Sequence, residues 1–491
     1  MVLYVAYLDL SPGTMQRIKN LIPREISQRM NPFLNPIFTA RCLKELVQDE
    51  YRIIKWNHRK LEAYQSRKLR EVIKYAFKVP VYRRKFEGNG FKADDITSVR
   101  DIKKIPIMTR DELRRGYPDD IVPYDFDKRK GKVVTTGGST GKPLCLYVDW
   151  YGIMKSYGTF FAMLRANGFN WRDLKIANIG NFNPYRADQE YAFGVYSAIK
   201  FLPLAKKVKL LRIESHPLEL LRELDDFKPD CILTYGGILL SLAHWMRKGY
   251  GKNVKPKLLA TSGAMLDKYT RSYVEDTFGC RIVDIYSCVE TGCGIAFQCK
   301  EGNYHVHSDF VVVEALDDNY NQVAPGERGK ACITKLYGGG TPIVRYVGLD
   351  DWIVLSDDRC NCGIQTKIID RIEGRVSMDI VLPGGRVYPS GAFTLVADVL
   401  HELKTFKIKR FQVVQKRIDK LEILLVVDED LRNTEPPLEL IFEKVREAYQ
   451  RKVGEDVEVE VKEVKEIKDD PKTGKPAPLV VSLVNRDKVM V

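Results

Sequence analysis

The chain has 491 residues, 44% of them apolar, with a formal net charge of +14; this is long enough for more than one domain and apolar enough for sizeable cores. No run approaches the roughly 18–20 apolar residues of a membrane span, and the opening MVLYVAYLDLSPG lacks the early basic residues and apolar core of a signal peptide. Ten cysteines in a chain this long do not read as a disulfide framework, so a reducing cytoplasm is expected, and without Lys/Arg blocks interleaved with aromatics nucleic acid is not an expected partner.

Residues 1–66 read as a helical extension. Asn35-Pro36 is a helix start, with Asn as N-cap and Pro in the first turn. Ile37, Leu43, Leu46, Val47, Tyr51 and Ile54 then recur at helical spacing among basic residues. Such a helix could lie on a membrane surface. Docking on the main domain is preferred, because Glu45, Asp49 and Glu50 break the basic face. A further helix is expected over Arg67–Phe86, ending near Val79-Pro80, and Thr109 with Glu112 forms a capping box.

Next comes Val133-Val134 followed by Thr135, Thr136, Gly137, Gly138, Ser139, Thr140, Gly141, Lys142 and Pro143. Glycines let backbone N–H groups approach a ligand, hydroxyls add donors, and lysine adds a compact positive charge, which together suit a phosphate cradle. It is not a GxxxxGK[ST] loop, since the glycine spacing is one residue short and Pro143 stands where the hydroxyl residue belongs.

Beyond it, apolar runs at 175–180, 231–236, 258–264 and 281–287 alternate with helical stretches at 218–227 and 239–248. This predicts an α/β fold, a large domain of helix-flanked, largely parallel sheets, with ligands at the carboxyl ends of the strands. Residues 376–491 read as a smaller α+β unit. It has two strands in VVQKRIDKLEILLVVDED, a helix over Glu439–Arg451 and a final alternating strand, EVEVKEV.

The motif TTGGSTGKP resembles the phosphate loop of the adenylate-forming superfamily, the acyl-CoA synthetases and their relatives. The nearest branch is that of phenylacetate–CoA ligase and the CapK-like proteins, and the resemblance covers residues 70–491. It implies a large domain over 67–373 and a C-terminal lid over 374–491. Thr135–Lys142 would hold the phosphates of ATP. Tyr235 and Gly236 resemble the acyl pocket, and Ser262-Gly263-Ala264 the segment that packs on adenine. Tyr286-Ser287-Cys288-Val289-Glu290 resembles YGxTE, in which the aromatic stacks on adenine and the carboxylate holds magnesium. Ser287 and Val289 depart from that pattern, and Thr291 is the residue that would compensate.

Thr341–Asp350 resembles P-x-x-R-Y-x-T-x-D, with Gly348 replacing Thr; Asp350 would accept from the ribose hydroxyls, Asp351 being the alternative. Asp370-Arg371-Ile372-Glu373-Gly374-Arg375 resembles the boundary motif, with Arg371 between ribose and phosphate and Ser377 in place of the usual pivot aspartate. Lys475, with Lys472 as competitor, resembles the mobile-loop lysine that orients carboxylate and α-phosphate.

Cys299-x5-His305 and Cys360-x-Cys362-Gly363 offer three thiols and an imidazole, the donor set of a structural zinc site. The competing reading leaves ordinary reduced cysteines, with Cys288, Cys293 and His307 as equally good donors. The resemblance as a whole implies a carboxylate–CoA ligase that uses ATP, magnesium and CoA on a small carboxylate, and it admits a homodimer. Other readings are transfer of the adenylate to a deazaflavin or a polysaccharide precursor, and a nucleotide-binding relative that has lost catalysis.

Overall fold

The computed structural model describes residues 32–129, 131–136, 144–182, 185–200, 203–213, 215–263, 266, 268–349, 351–375, 380–383, 386–388, 393, 395–403, 405–468 and 477–484. Helix Pro36–Lys55 starts where expected: the Asn35 side chain accepts from the N–H groups of Ile37 and Phe38. Its buried face differs from the apolar positions read off the sequence. Ala40, Cys42, Leu46, Asp49, Glu50, Arg52 and Ile53 are buried, while Val47 is 48% exposed. The acids that interrupt the basic pattern are therefore the docking face. Helix His58–Ala76 follows, runs unbroken across residue 66, and is succeeded by helix Pro80–Gly88.

A hairpin of β1 (Lys132–Thr135) and β2 (Cys145–Val148) comes next. The main sheet then takes β3 (Ile176–Gly180), β4 (Val208–Arg212), β5 (Cys231–Thr234), β6 (Leu258–Ser262), β7 (Ile282–Cys288), β8 (Cys293–Gln298), β9 (Tyr304–Val306), β10 (Val311–Leu316), β11 (Arg328–Lys335), β12 (Asp351–Ser356) and β13 (Ile368–Arg375). Their order is β10-β11-β12-β13-β9-β8-β7-β6-β5-β3-β4. Strands β3 to β7 pair in parallel with helical crossovers, as the alternating pattern predicts. From β7 to β10 the sheet continues antiparallel. Among the described residues no helix stands between consecutive strands of that half, so they return without the helical crossovers that parallel pairing needs.

The C-terminal region adds a short pair, β14 (Ile380–Leu382) and β15 (Arg386–Tyr388), and a second sheet. This sheet holds β16 (Ile408–Arg417), β17 (Lys420–Val427), β18 (Glu458–Glu463) and β19 (Val480–Ser482) in the order β18-β17-β16-β19. Helix Leu438–Val453 covers it through Ile441, Val445, Tyr449 and Val453. The region rests on helices Gly236–Arg247 and Lys268–Phe278. The rings of Tyr273 and Phe406 meet edge to face at 5.2 Å, and the Arg247 guanidinium lies over both. Lys248–Asp430 and His244–Asp428 pairs flank that contact at 2.8 and 3.2 Å.

Candidate active site and metal centre

The β1–β2 hairpin ends at the glycine-rich loop. Gly137, Gly138, Ser139, Thr140, Gly141 and Lys142 lie outside the described residues, as do Ala264, Asp350, Lys472 and Lys475. The base of the loop is described. Thr136 N–H donates to the Leu144 carbonyl at 2.9 Å, and the Thr136 hydroxyl accepts from Leu144 N–H at 3.0 Å and from Arg110 Nη2 at 2.7 Å. Thr135 N–H is bound by the Tyr185 carbonyl at 2.8 Å. Arg110 opens the helix Arg110–Gly116, whose capping box joins Thr109 and Glu112. Its Nε is buried and has no partner among the described residues. A guanidinium bonded to the base of the glycine-rich loop was not among the site residues expected from the sequence. Its one signal was a basic residue directly after the Thr109 cap.

Facing this is the turn after β7. Glu290 is buried, not a surface carboxylate, and accepts from the Tyr346 hydroxyl at 3.1 Å. Burial first, and the Glu290 charge next, push the Tyr346 hydroxyl far above its ordinary pKa, so it remains a donor. Tyr346 is held by a strap: Met108 N–H donates to the Arg345 carbonyl at 2.9 Å and Val347 N–H to the Met108 carbonyl at 3.1 Å. The departure at Gly348 has a steric cause, since a Cβ there would sit 2.2 Å from the Tyr346 hydroxyl and 2.8 Å from Arg110 Cβ. Thr291, the expected substitute for Val289, has its hydroxyl turned toward the Cys288 carbonyl at 3.3 Å.

Tyr286 donates to Asp351 Oδ2 at 2.9 Å, which joins the tyrosine expected beside adenine to the second of the two candidates for the ribose aspartate. Arg371 lies on β13 opposite Val354, 61% exposed and within 3.7 Å of Glu373.

A third group gathers at the carboxyl ends of β3, β5 and β6. Gly263 has φ +86°, and a Cβ there would meet the Tyr235 ring at 3.0 Å, so glycine is required twice over. The Tyr235 hydroxyl donates to Asp188 Oδ2 at 2.7 Å, and Asn181 N–H donates to the same oxygen at 2.7 Å. Gly236 opens its helix with its bare side 3.3 Å from Leu266 and 3.7 Å from the Thr261 hydroxyl.

The thiol–imidazole set lies apart from these groups. The ligand atoms of Cys299, His305, Cys360 and Cys362 all fall within 4.8 Å of one another. Cys299 Sγ is 3.6 Å from Cys360 Sγ, and His305 Nε2 is 3.2 Å from Cys362 Sγ. Tetrahedral zinc with Zn–S of about 2.3 Å and Zn–N of about 2.0 Å spaces its ligands by roughly 3.5–3.8 Å, so the set fits. Burial pushes the His305 pKa down to about 4, which keeps the imidazole in the neutral form a metal binds. Its Nδ1 lies 3.1 Å from the Thr366 hydroxyl, and Asn303 Nδ2 donates to Cys360 Sγ at 3.2 Å. These contacts orient the donors from behind.

A parallel sheet that turns antiparallel, a phosphate-type loop ahead of it and a small α+β unit behind it make up the fold of the acyl-CoA ligases in the adenylate-forming superfamily. The chain shares that fold: it superimposes on the crystal structure of 2-hydroxyisobutyryl-CoA ligase in the postadenylation state with R3-HIB-AMP at a TM-score of 0.73, with 18% identity, covering 89% of this chain and 92% of that one. Residues 390–481 match the model of the CapK C-terminal domain. Phenylacetate-coenzyme A ligase of Escherichia coli (strain K12) is 25% identical over 344 residues, 67% of this chain and 74% of that protein. The enzyme of the same name from Thermus thermophilus is 25% identical over 389 residues, 75% and 82% of the two chains.

Proposed function

We propose that this protein is an ATP-dependent carboxylate–CoA ligase that works through an acyl-AMP intermediate. The observation that carries this reading is the buried Glu290, fixed by Tyr346 beside the Arg110–Thr136 base of the glycine-rich loop. An anionic group and a cationic group held so close to a phosphate-type loop suit a metal-bound triphosphate. The names of the sequence relatives agree with it.

In this reading residues 67–373 form the nucleotide-binding domain and 374–491 the lid. Thr135–Lys142 cradle the phosphates, with Arg110 behind them, and Glu290 holds the magnesium that ATP brings. Gly263, Ala264 and Tyr286 face adenine, Asp350 and Arg371 take the ribose, and Tyr235 and Gly236 border the acyl group. The substrate carboxylate attacks the α-phosphorus and pyrophosphate leaves. The thiol of CoA then attacks the acyl carbon and AMP leaves. Lys475 orients the two anions in the first step, where they would otherwise repel each other.

Cys299, His305, Cys360 and Cys362 hold a structural zinc, since four protein donors leave no open position. A thiol-rich site of this kind suits the reducing cytoplasm. Among the described residues no helix is long and apolar enough to cross a membrane. The match to the CapK C-terminal domain favours a second reading, in which the same acyl-AMP passes to an acceptor other than CoA.

ATP–pyrophosphate exchange across a panel of acids, followed by CoA addition and mass analysis, tests both readings. Exchange with an acyl-CoA product supports the first, exchange without thioester the second, and no exchange with any acid refutes both. Lys475→Ala should abolish exchange with the fold intact, and full retained activity would overturn its assignment.

A further inference from the structure

We infer that the acid this protein activates carries a hydroxyl group on its acyl portion, and that Thr261 and Asp188 read it. This rests on the ligase reading above and names its substrate class.

Thr261 lies on β6, 1% exposed, and its hydroxyl has no hydrogen-bond partner among the described residues. That hydroxyl lies 3.7 Å from the position a Cβ on Gly236 would occupy. A buried hydroxyl without a partner is uncommon, because burial strips its water without replacing the hydrogen bond. Here it borders the strand ends that would receive the acyl group.

The neighbouring wall is also polar. The Asp188 carboxylate lies within 2.9 Å of the Cβ position that Gly180 leaves vacant at the end of β3, and it accepts from the Tyr235 hydroxyl at 2.7 Å. Tyr235 in turn lies against Gly263 at the end of β6. The carboxyl ends of β3, β5 and β6 thus carry a hydroxyl, a carboxylate and a phenol. An all-hydrocarbon acyl chain packed there would leave the Thr261 hydroxyl without a hydrogen-bond partner and add no donor to those that Tyr235 and Asn181 give the Asp188 carboxylate. A hydroxyl both donates and accepts, so it serves either group.

A site built to hydrogen-bond a substrate hydroxyl discriminates strongly against the analogue that lacks it. The test is ATP–pyrophosphate exchange with matched acids differing by one hydroxyl: 4-hydroxyphenylacetate against phenylacetate, and 3-hydroxybutyrate against butyrate. The hydroxylated member of at least one pair should have kcat/KM higher by about tenfold or more. Thr261→Val, which keeps the side-chain shape, should bring that ratio down at least about fivefold and leave KM for ATP unchanged. Asp188→Asn, which keeps an acceptor for Tyr235, should reduce the ratio as well. Equal or better use of the unsubstituted acid in both pairs overturns the inference while leaving the ligase reading intact. So does a ratio that survives Thr261→Val. Absence of exchange with every acid overturns the ligase reading, and this inference with it.

Discussion

Asp49→Asn is the sharpest test of how the N-terminal helices join the fold. Asp49 is fully buried, and its two oxygens accept from Arg52 Nη1 and Lys155 Nζ, each at 2.6 Å. Gly158 lets helix Pro36–Lys55 come this close, since a Cβ there would sit 2.8 Å from Asp49 Cβ. Removing one partner of a buried ion pair costs about 3–5 kcal/mol. Three features place Asp49→Asn at the low end. Arg52 keeps Asp309 at 3.0 Å, Lys155 keeps Glu45 at 3.4 Å, and the amide oxygen still accepts one hydrogen bond. Asp309, whose pKa is pushed up to about 6 by burial with the Asp49 charge contributing to the rise, would also ionise more fully once that charge is gone. About 3 kcal/mol corresponds to a roughly 150-fold increase in local opening. Native-state hydrogen exchange on the amides of residues 46–53 reads this directly, with the amides of β17 as internal control. A change under about threefold would refute the reasoning, because an ion cluster of that kind would be ornamental to docking.

Three further outcomes are expected. Metal analysis should find one zinc per chain. Cys362→Ser should lose it, and Thr366→Val, which removes the partner of His305 Nδ1, should weaken binding about tenfold or more; stoichiometric zinc in Cys362→Ser would refute the ligand set. Gly348→Ala should lose pyrophosphate exchange and about 1–3 kcal/mol of stability, because its Cβ has no space beside Tyr346 and Arg110, and parent-like melting and rates would refute that. The Asp284 pKa is pushed from 3.8 up to about 6 by burial. A raised acid favours the folded state below the unfolded value, and that contribution, roughly 3 kcal/mol, is lost as pH rises through 6. Asp284→Asn should therefore gain on the parent between pH 5 and 7.5 in urea melts, and parallel profiles would refute this.

What the sequence revealed follows the range of the interactions. Local signals were legible: the Asn35 cap, the Thr109–Glu112 box, the apolar runs of β3, β5, β6 and β7, and the C-terminal helix over Leu438–Val453. Each depends on residues a few positions apart. Contacts between distant residues were not legible. Asp49 looked like an interruption of a basic helix because its partners, Lys155 and the Arg52–Asp309 pair, come together only in the fold. The antiparallel half of the sheet was missed because short alternating runs do not state their pairing direction. Gly348 looked like a lost hydroxyl, and only the Tyr346 ring above it shows why no side chain fits. The cysteine–histidine donor set was readable from spacing, and the β9–β13 pairing, which puts His305 opposite Ile368 at the base of the Cys360–Cys362 loop, shows why His305 and not His307 joins it.

The helical segment that leads up to the glycine-rich loop also holds the Glu290 site in place. Tyr75 donates to the Gly340 carbonyl at 2.8 Å, and Tyr82 donates to the Pro342 carbonyl at 3.0 Å while accepting from Val344 N–H at 3.1 Å. Arg345 then adopts φ +41°, a left-handed conformation that costs a residue with a side chain about 1–3 kcal/mol. Its guanidinium donates to the Lys103 and Ile105 carbonyls at 2.9 and 2.7 Å and lies 3.4 Å from Glu314. Charged hydrogen bonds of this kind contribute about 1.5–3 kcal/mol each, which offsets the strain. The strained step lies between a segment clamped by residues 75–108 and the tyrosine that binds Glu290. Loosening those helices would therefore move Tyr346 before it unfolded the sheet. This makes Glu290 geometry, and not global stability, the first property to fail when the N-terminal packing is damaged.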